Sequence, residues 1–117
     1  MLPTVLIVDD HAGFRRAARA LLEADGFAIV GECATGGEGL EAALRLRPDV
    51  VLLDVGLPDL DGIEVASLLC ACPAGAPKVV LTSSRDVSDF PPQLAHCGAR
   101  GFIAKAELSG AALARFS

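Results

Sequence analysis

No tryptophan and no tyrosine occur among the 117 residues, and no stretch gathers lysines and arginines into a cluster. A nucleic-acid surface needs a basic stripe to displace counterions from phosphates. With 10 basic against 15 acidic residues the formal net charge is −5, so direct nucleic-acid binding by these residues is not expected. The N-terminus runs from Met1-Leu2-Pro3-Thr4 straight into Val5–Asp10, without a basic n-region or a long apolar segment. That excludes a signal peptide and a membrane span, and the expected location is cytoplasmic. The four cysteines are Cys33, Cys70, Cys72 and Cys97. Zinc sites draw on C-x₂₋₄-C pairs, and Cys70-Ala71-Cys72 is tighter than that with no histidine nearby. The four read as reduced, core-filling thiols. Repeats, linkers and low-complexity segments are also missing. At this length a single domain over residues 1–117 is expected, and 52% hydrophobic against 21% charged residues suits a packed globule.

What the chain does have is a rhythm. Val5-Leu6-Ile7-Val8 is a continuous apolar run, the mark of a strand buried on both faces. Phe14, Ala17, Ala18, Leu21 and Leu22 then recur at helical spacing, and Gly26 closes that helix. Phe27–Cys33 reads as a second strand; Leu40, Ala43 and Leu44 mark a second helix that stops before Pro48. Val50-Val51-Leu52-Leu53 is a third strand, followed by a helix lined by Ile63, Ala66, Leu69 and Cys70. Val79-Val80-Leu81 and Phe102-Ile103-Ala104 are strands four and five, and a short helix around Leu108–Phe116 ends the chain. Five strands alternating with helices predict an α/β fold, a parallel sheet covered on both faces. Between strands four and five, Ser83–Gly98 carries Pro91-Pro92, which limits the fourth helix to about two turns.

Polar landmarks follow the apolar strands directly. Asp9 and Asp10 follow the first, Asp54 ends the third, Thr82 the fourth and Lys105 the fifth. In a parallel sheet these ends share the carboxyl edge, where α/β proteins bind ligands. Three converging carboxylates repel one another, and a hard cation with oxygen ligands relieves that. Mg²⁺ suits the set best, because it accepts a few carboxylates, keeps waters and commonly shares its shell with phosphate. Lys105 adds a fixed positive charge and Thr82 a hydrogen-bond donor, a set suited to stabilising a phosphoryl group in transit. A carboxylate can itself be the nucleophile and form an aspartyl phosphate. Taken singly, Asp10 reads equally well as the N-cap of the first helix and Asp61 as that of the third. The joint occurrence at four strand ends is what points to chemistry.

Over nearly its whole length the sequence resembles the receiver domains of bacterial two-component response regulators. Val8-Asp9-Asp10-His11 resembles the family's acidic pair. Asp54-Val55-Gly56-Leu57-Pro58-Asp59-Leu60-Asp61-Gly62 matches D-x-x-[LM]-P-x-x-[DN]-G, Leu81-Thr82-Ser83 the switch segment, and Phe102-Ile103-Ala104-Lys105 the aromatic-x-x-Lys block. The resemblance implies a flavodoxin-like (CheY-like) three-layer sandwich with sheet order 2-1-3-4-5. It also implies a phosphoacceptor domain rather than an enzyme acting on external substrates. Asp54 would take a phosphoryl group from a sensor histidine kinase or phosphotransfer protein. Asp9, Asp10, Asp54 and the Gly56 backbone carbonyl would hold Mg²⁺, Thr82 and Lys105 would bind phosphoryl oxygens, and Phe102 would be the switch aromatic. The fourth helix, fifth strand and fifth helix would form the output surface, a face through which receivers can also form homodimers.

Lys105-Ala106-Glu107-Leu108-Ser109 is closest in style to receivers that precede a LuxR/NarL-type helix-turn-helix, so control of transcription is the expected output. A stand-alone receiver or phosphorelay intermediate acting by protein contact is the alternative. Gly56 and Ser84 are small where many receivers carry larger side chains, which predicts a short-lived phosphorylated state. A haloacid-dehalogenase-type Mg²⁺ phosphatase needs a second Asp two residues after its nucleophile. Gly56 holds that place after Asp54, and His11 holds it after Asp9. A flavodoxin-like electron carrier needs a Ser/Thr/Gly-rich phosphate loop where this chain has Asp9-Asp10-His11-Ala12-Gly13, and it lacks Trp or Tyr to stack a flavin. His11 and His96 receive no catalytic role.

Overall fold

A computed structural model describes residues 2–71, 76–84 and 98–116. The segment where the sequence predicts a helix carrying Pro91-Pro92, together with Cys72, His96 and Cys97, lies outside the described residues. Strands β1 (Thr4–Val8), β2 (Ala28–Cys33), β3 (Val50–Asp54), β4 (Lys78–Ser83) and β5 (Gly101–Ala104) form one parallel sheet of order β2-β1-β3-β4-β5. Helices α1 (Ala12–Ala24), α2 (Gly36–Leu46), α3 (Gly62–Cys70) and α4 (Gly110–Ala114) connect or follow the strands, with a 3₁₀ turn at Lys105–Glu107.

Side chains alternate across a strand, so a fully apolar strand feeds two cores. Leu6, Val8, Val51, Leu53, Val79 and Leu81 pack with Ala42 and Ala43 of α2 and Val65, Ala66 and Leu69 of α3. Their neighbours Val5, Ile7, Val50, Leu52, Val80 and Ile103 pack on the other side with Ala18 and Leu22 of α1 and Leu113 of α4. That is the three-layer arrangement, and it explains why the central strands read as unbroken apolar runs.

Local signals set the helix ends. Gly26, at φ 95°, turns the chain after α1. Arg47 takes the left-handed conformation at the end of α2, immediately before Pro48, a cap usually given to glycine. Asp61 caps α3, its side chain accepting from Ile63 N–H at 2.9 Å. The reading of Asp10 as a cap is not met: His11 holds that position, and its side chain makes no capping bond. At the start of α3, a Cβ on Gly62 would come within 2.6 Å of Val55 Cα, and Gly62 N–H donates to Val55 O at 3.0 Å. The helix therefore abuts the end of β3 without an intervening side chain. Cys33 and Cys70 are half-buried against the α2–α3 core, and burial pushes the Cys33 thiol up. That fits an unreactive core thiol.

Candidate functional site

The site grows out of the strand alternation. On the α1 side the last core residues are Ile7, Leu52, Val80 and Ile103. One period of two further along the four strands come Asp9, Asp54, Thr82 and Lys105. Register aligns them: Val8 faces Leu53, Asp54 faces Thr82, and Thr82 faces Ile103. Each polar residue thus continues an apolar series on one face, at the carboxyl edge of the sheet.

Asp9 is buried, with its N–H held by Cys33 O at 2.9 Å. Its Oδ1 accepts from His11 N–H at 2.8 Å. Lys105 Nζ lies 2.6 Å from Asp9 Oδ2 and 3.6 Å from Asp54 Oδ2. The ammonium also sits 4.6 Å from the centroid of the Phe14 ring, which turns its attractive face to the cation. Gly56 N–H donates to Asp54 Oδ1 at 3.2 Å. Burial raises the Asp54 carboxyl above the usual range; Asp9 and Asp10 push the same way, while Gly56 N–H and Lys105 oppose.

Single ligand atoms of Asp9, Asp10, His11 and Asp54 all lie within 4.8 Å of one another. Asp9 Oδ2 and Thr82 Oγ1 are buried without a hydrogen-bond partner among the described residues. For Asp9 Oδ2 the Lys105 contact is close, but its angle falls outside hydrogen-bond geometry, so it neutralises charge without using the lone pairs well. Buried polar atoms left unsatisfied are costly. A pocket of oxygen donors with excess negative charge fits a hard divalent cation.

The structure brings together Asp9, Asp10 and Asp54, sets Lys105 against two of them, and places Thr82 beside Asp54 in the sheet. Gly56 follows in an exposed turn where a Cβ would meet nothing within 4 Å. Phe102 lies on the opposite face, half-buried against the α2–α3 core. Ser84 is exposed after β4. Sequence reasoning left three participants unassigned. His11 Nδ1 approaches Asp9 Oδ1 at 3.3 Å and Asp10 Oδ1 at 3.2 Å. Arg15 Nη1 donates to Asp9 O at 2.6 Å. Asp59 accepts from Gly36 N–H at 2.7 Å and Gly37 N–H at 2.9 Å, docking the turn after β3 on the start of α2. Those N–H bonds hold the Asp59 carboxyl below its usual range. His11 adjoins the acidic pair in sequence, and Arg15 follows it at helical spacing, since residues four apart share a face.

A parallel sheet of order 2-1-3-4-5 with an acidic pocket and a lysine at its carboxyl edge defines the class: a CheY-like receiver fold. The chain belongs to the response regulator receiver domain family, which it matches over residues 5–115. It is 44% identical over 103 residues to a Pseudomonas aeruginosa protein named "Putative transcriptional regulator", covering 88% of this chain and 49% of that one. Response regulator GacA of Pseudomonas viridiflava is 39% identical over 102 residues, 86% of this chain and 47% of its own length. A two-component response regulator of the LuxR family from Aurantimonas sp. SI85-9A1 superposes with a TM-score of 0.84 at 29% identity, over 98% of this chain and 81% of that one. The chain spans about half the length of the curated relatives it matches.

Proposed function

We propose that Asp54 is the phosphoacceptor of this receiver domain, that Mg²⁺ is held by Asp9, Asp10, Asp54 and the Gly56 carbonyl, and that phosphorylation controls an output, here transcription. The carrying observation is the placement of Asp9, Asp54, Thr82 and Lys105 one alternation beyond the same core face. In the transfer, an Asp54 carboxylate oxygen forms a bond to phosphorus as the phosphorus–nitrogen bond of a partner's phosphohistidine breaks, and the imidazole leaves with the electron pair. Bound Mg²⁺ supplies neutralisation of the carboxylates and of the phosphoryl oxygens. Lys105, held against Asp9 and Asp54, is placed to pair with a phosphoryl oxygen, and the unpartnered Thr82 hydroxyl to donate to another. The domain accepts and loses its own phosphoryl group rather than turning over an external substrate. Phe102, one residue from the cross-strand neighbour of Thr82, would report occupancy to the output surface.

Transcription as the output is supported by a relative's name, "Putative transcriptional regulator"; membership of the receiver family supports a sensor histidine kinase or phosphotransfer protein as donor and a cytoplasmic location. Among the described residues no helix is long and apolar enough to cross a membrane. The test is incubation with Mg²⁺ and acetyl phosphate, read by intact mass. One phosphate should be gained by wild type and none by Asp54→Asn. Full modification of Asp54→Asn, or none of wild type together with no beryllofluoride binding, would overturn the proposal.

A further inference from the structure

We infer that His11 is a nitrogen ligand of the same cation pocket, which would then accept divalent transition metals such as Co²⁺ and Ni²⁺ through a mixed oxygen–nitrogen set. This rests on the metal reading proposed above and extends it to a residue outside the acidic set. Ligand bonds to such ions are about 2.1 Å, so neighbouring ligand atoms stand roughly 3.0 Å apart on an octahedron and about 3.4 Å apart on a tetrahedron. His11 Nδ1 stands 3.3 Å from Asp9 Oδ1 and 3.2 Å from Asp10 Oδ1, within that interval. Asp54 completes a group whose ligand atoms lie within 4.8 Å of one another, a little wider than the roughly 4.2 Å across such a shell, which a small side-chain adjustment closes.

Independent of that spacing, Thr82 Oγ1 is buried on the same sheet face with no hydrogen-bond partner among the described residues, which marks the pocket as built for an occupant. The backbone contributes as well. His11 N–H donates to Asp9 Oδ1, which fixes the start of α1 relative to the carboxylate and returns the ring toward the acidic pair. The competing account is that Nδ1–H merely donates to the carboxylates. The two accounts differ in metal selectivity. Mg²⁺ prefers oxygen and water, whereas imidazole suits later first-row metals. Loss of a nitrogen ligand should therefore weaken Co²⁺ and Ni²⁺ while leaving Mg²⁺ nearly unchanged. Loss of a hydrogen-bond donor should move all three alike.

The experiment is calorimetric titration of wild type, His11→Ala and Asp54→Asn with Mg²⁺, Co²⁺ and Ni²⁺, alongside proton NMR of the imidazole signals with substoichiometric Co²⁺. The His11 side chain is 68% exposed, so its truncation should leave the fold intact, and melting curves check this. His11→Ala should lose about tenfold or more in Co²⁺ and Ni²⁺ affinity and less than about twofold for Mg²⁺. In wild type, the imidazole signal that His11→Ala removes should broaden first. Equal effects on all metals, no effect on any, or an unbroadened His11 signal would overturn the inference. Asp54→Asn separates the two levels. If it binds every metal as wild type does, the underlying metal site fails; if it loses them while His11→Ala changes nothing, only the ligand role of His11 fails.

Discussion

Replacing Lys105 by methionine keeps an unbranched side chain of similar length beside Phe14 and removes one charge. Its ammonium is 2.6 Å from Asp9 Oδ2, with side-chain exposures of 14% and 1%. At an effective dielectric constant of about 20, that separation corresponds to roughly 6 kcal/mol of gross attraction, most of it offset by desolvating both ions. Removing one partner of such a pair typically costs about 3–5 kcal/mol, because the other charge is left buried and alone. Asp9 Oδ1 keeps its hydrogen bond from His11 N–H, so the low end applies, about 3 kcal/mol, or roughly 10–15 °C in Tm for a domain of this size. The assay is urea unfolding followed by far-UV circular dichroism at pH 7 in EDTA, with Asp9→Asn and the double variant completing a cycle. The coupling should recover most of the loss in Lys105→Met/Asp9→Asn. In excess Mg²⁺ the cation replaces the missing charge, and the gap should shrink to about 1 kcal/mol or less. Equal stability of Lys105→Met and wild type in EDTA, or a gap that Mg²⁺ leaves untouched, would refute the reasoning.

Three other outcomes follow from the same geometry. The Asp54 carboxyl is raised by burial first, so its favourable contribution is complete below the ordinary carboxylate range and lost as pH rises through the raised value. Without divalent ions, Asp54→Asn should therefore be more stable than wild type at pH 7, a difference that closes below about pH 4 in urea melts. Gly56 has open space where its Cβ would stand; Gly56→Arg should fold normally and lengthen the aspartyl-phosphate lifetime severalfold by screening water, and an unchanged or shorter decay would contradict this. Gly62→Ala should cost about 1–3 kcal/mol and weaken Mg²⁺ binding, because the methyl collides with the Val55 backbone beside Asp54; urea midpoints and metal titration check both.

The fold was legible because central strands in a parallel sheet must be apolar on both faces. Val5–Val8, Val50–Leu53 and Val79–Leu81 therefore stand out as unbroken runs, and the polar residue after each falls at the carboxyl edge. Asp9, Asp10, Asp54 and Thr82 could be named from those runs, and Lys105 from the shorter Phe102–Ala104 run that ends the sheet. The local order of a sequence does not say where a side chain turns once the strand has ended. His11 joins the carboxylates because its own N–H is held by Asp9, and Asp59 reaches α2 across 23 positions. Neither contact has a periodic signature. Arg47 likewise occupies a left-handed cap without the glycine that would have announced it.

The division of the site between two faces has a mechanical corollary. Asp9, Asp54 and Lys105 stand on the α1 side and Phe102 on the α2–α3 side, so under the proposed roles the sheet would be a partition between stimulus and report. Under that reading a response of Thr82 to an occupied pocket can cross it through the main chain, because β4 is hydrogen-bonded to β5. β5 is suited to yield: four residues long and bonded to one neighbouring strand, it can tilt or slide while β1 and β3 hold still. The domain would thus transmit by flexing its margin around a fixed centre, and stiffening that margin should blunt the message without touching the chemistry.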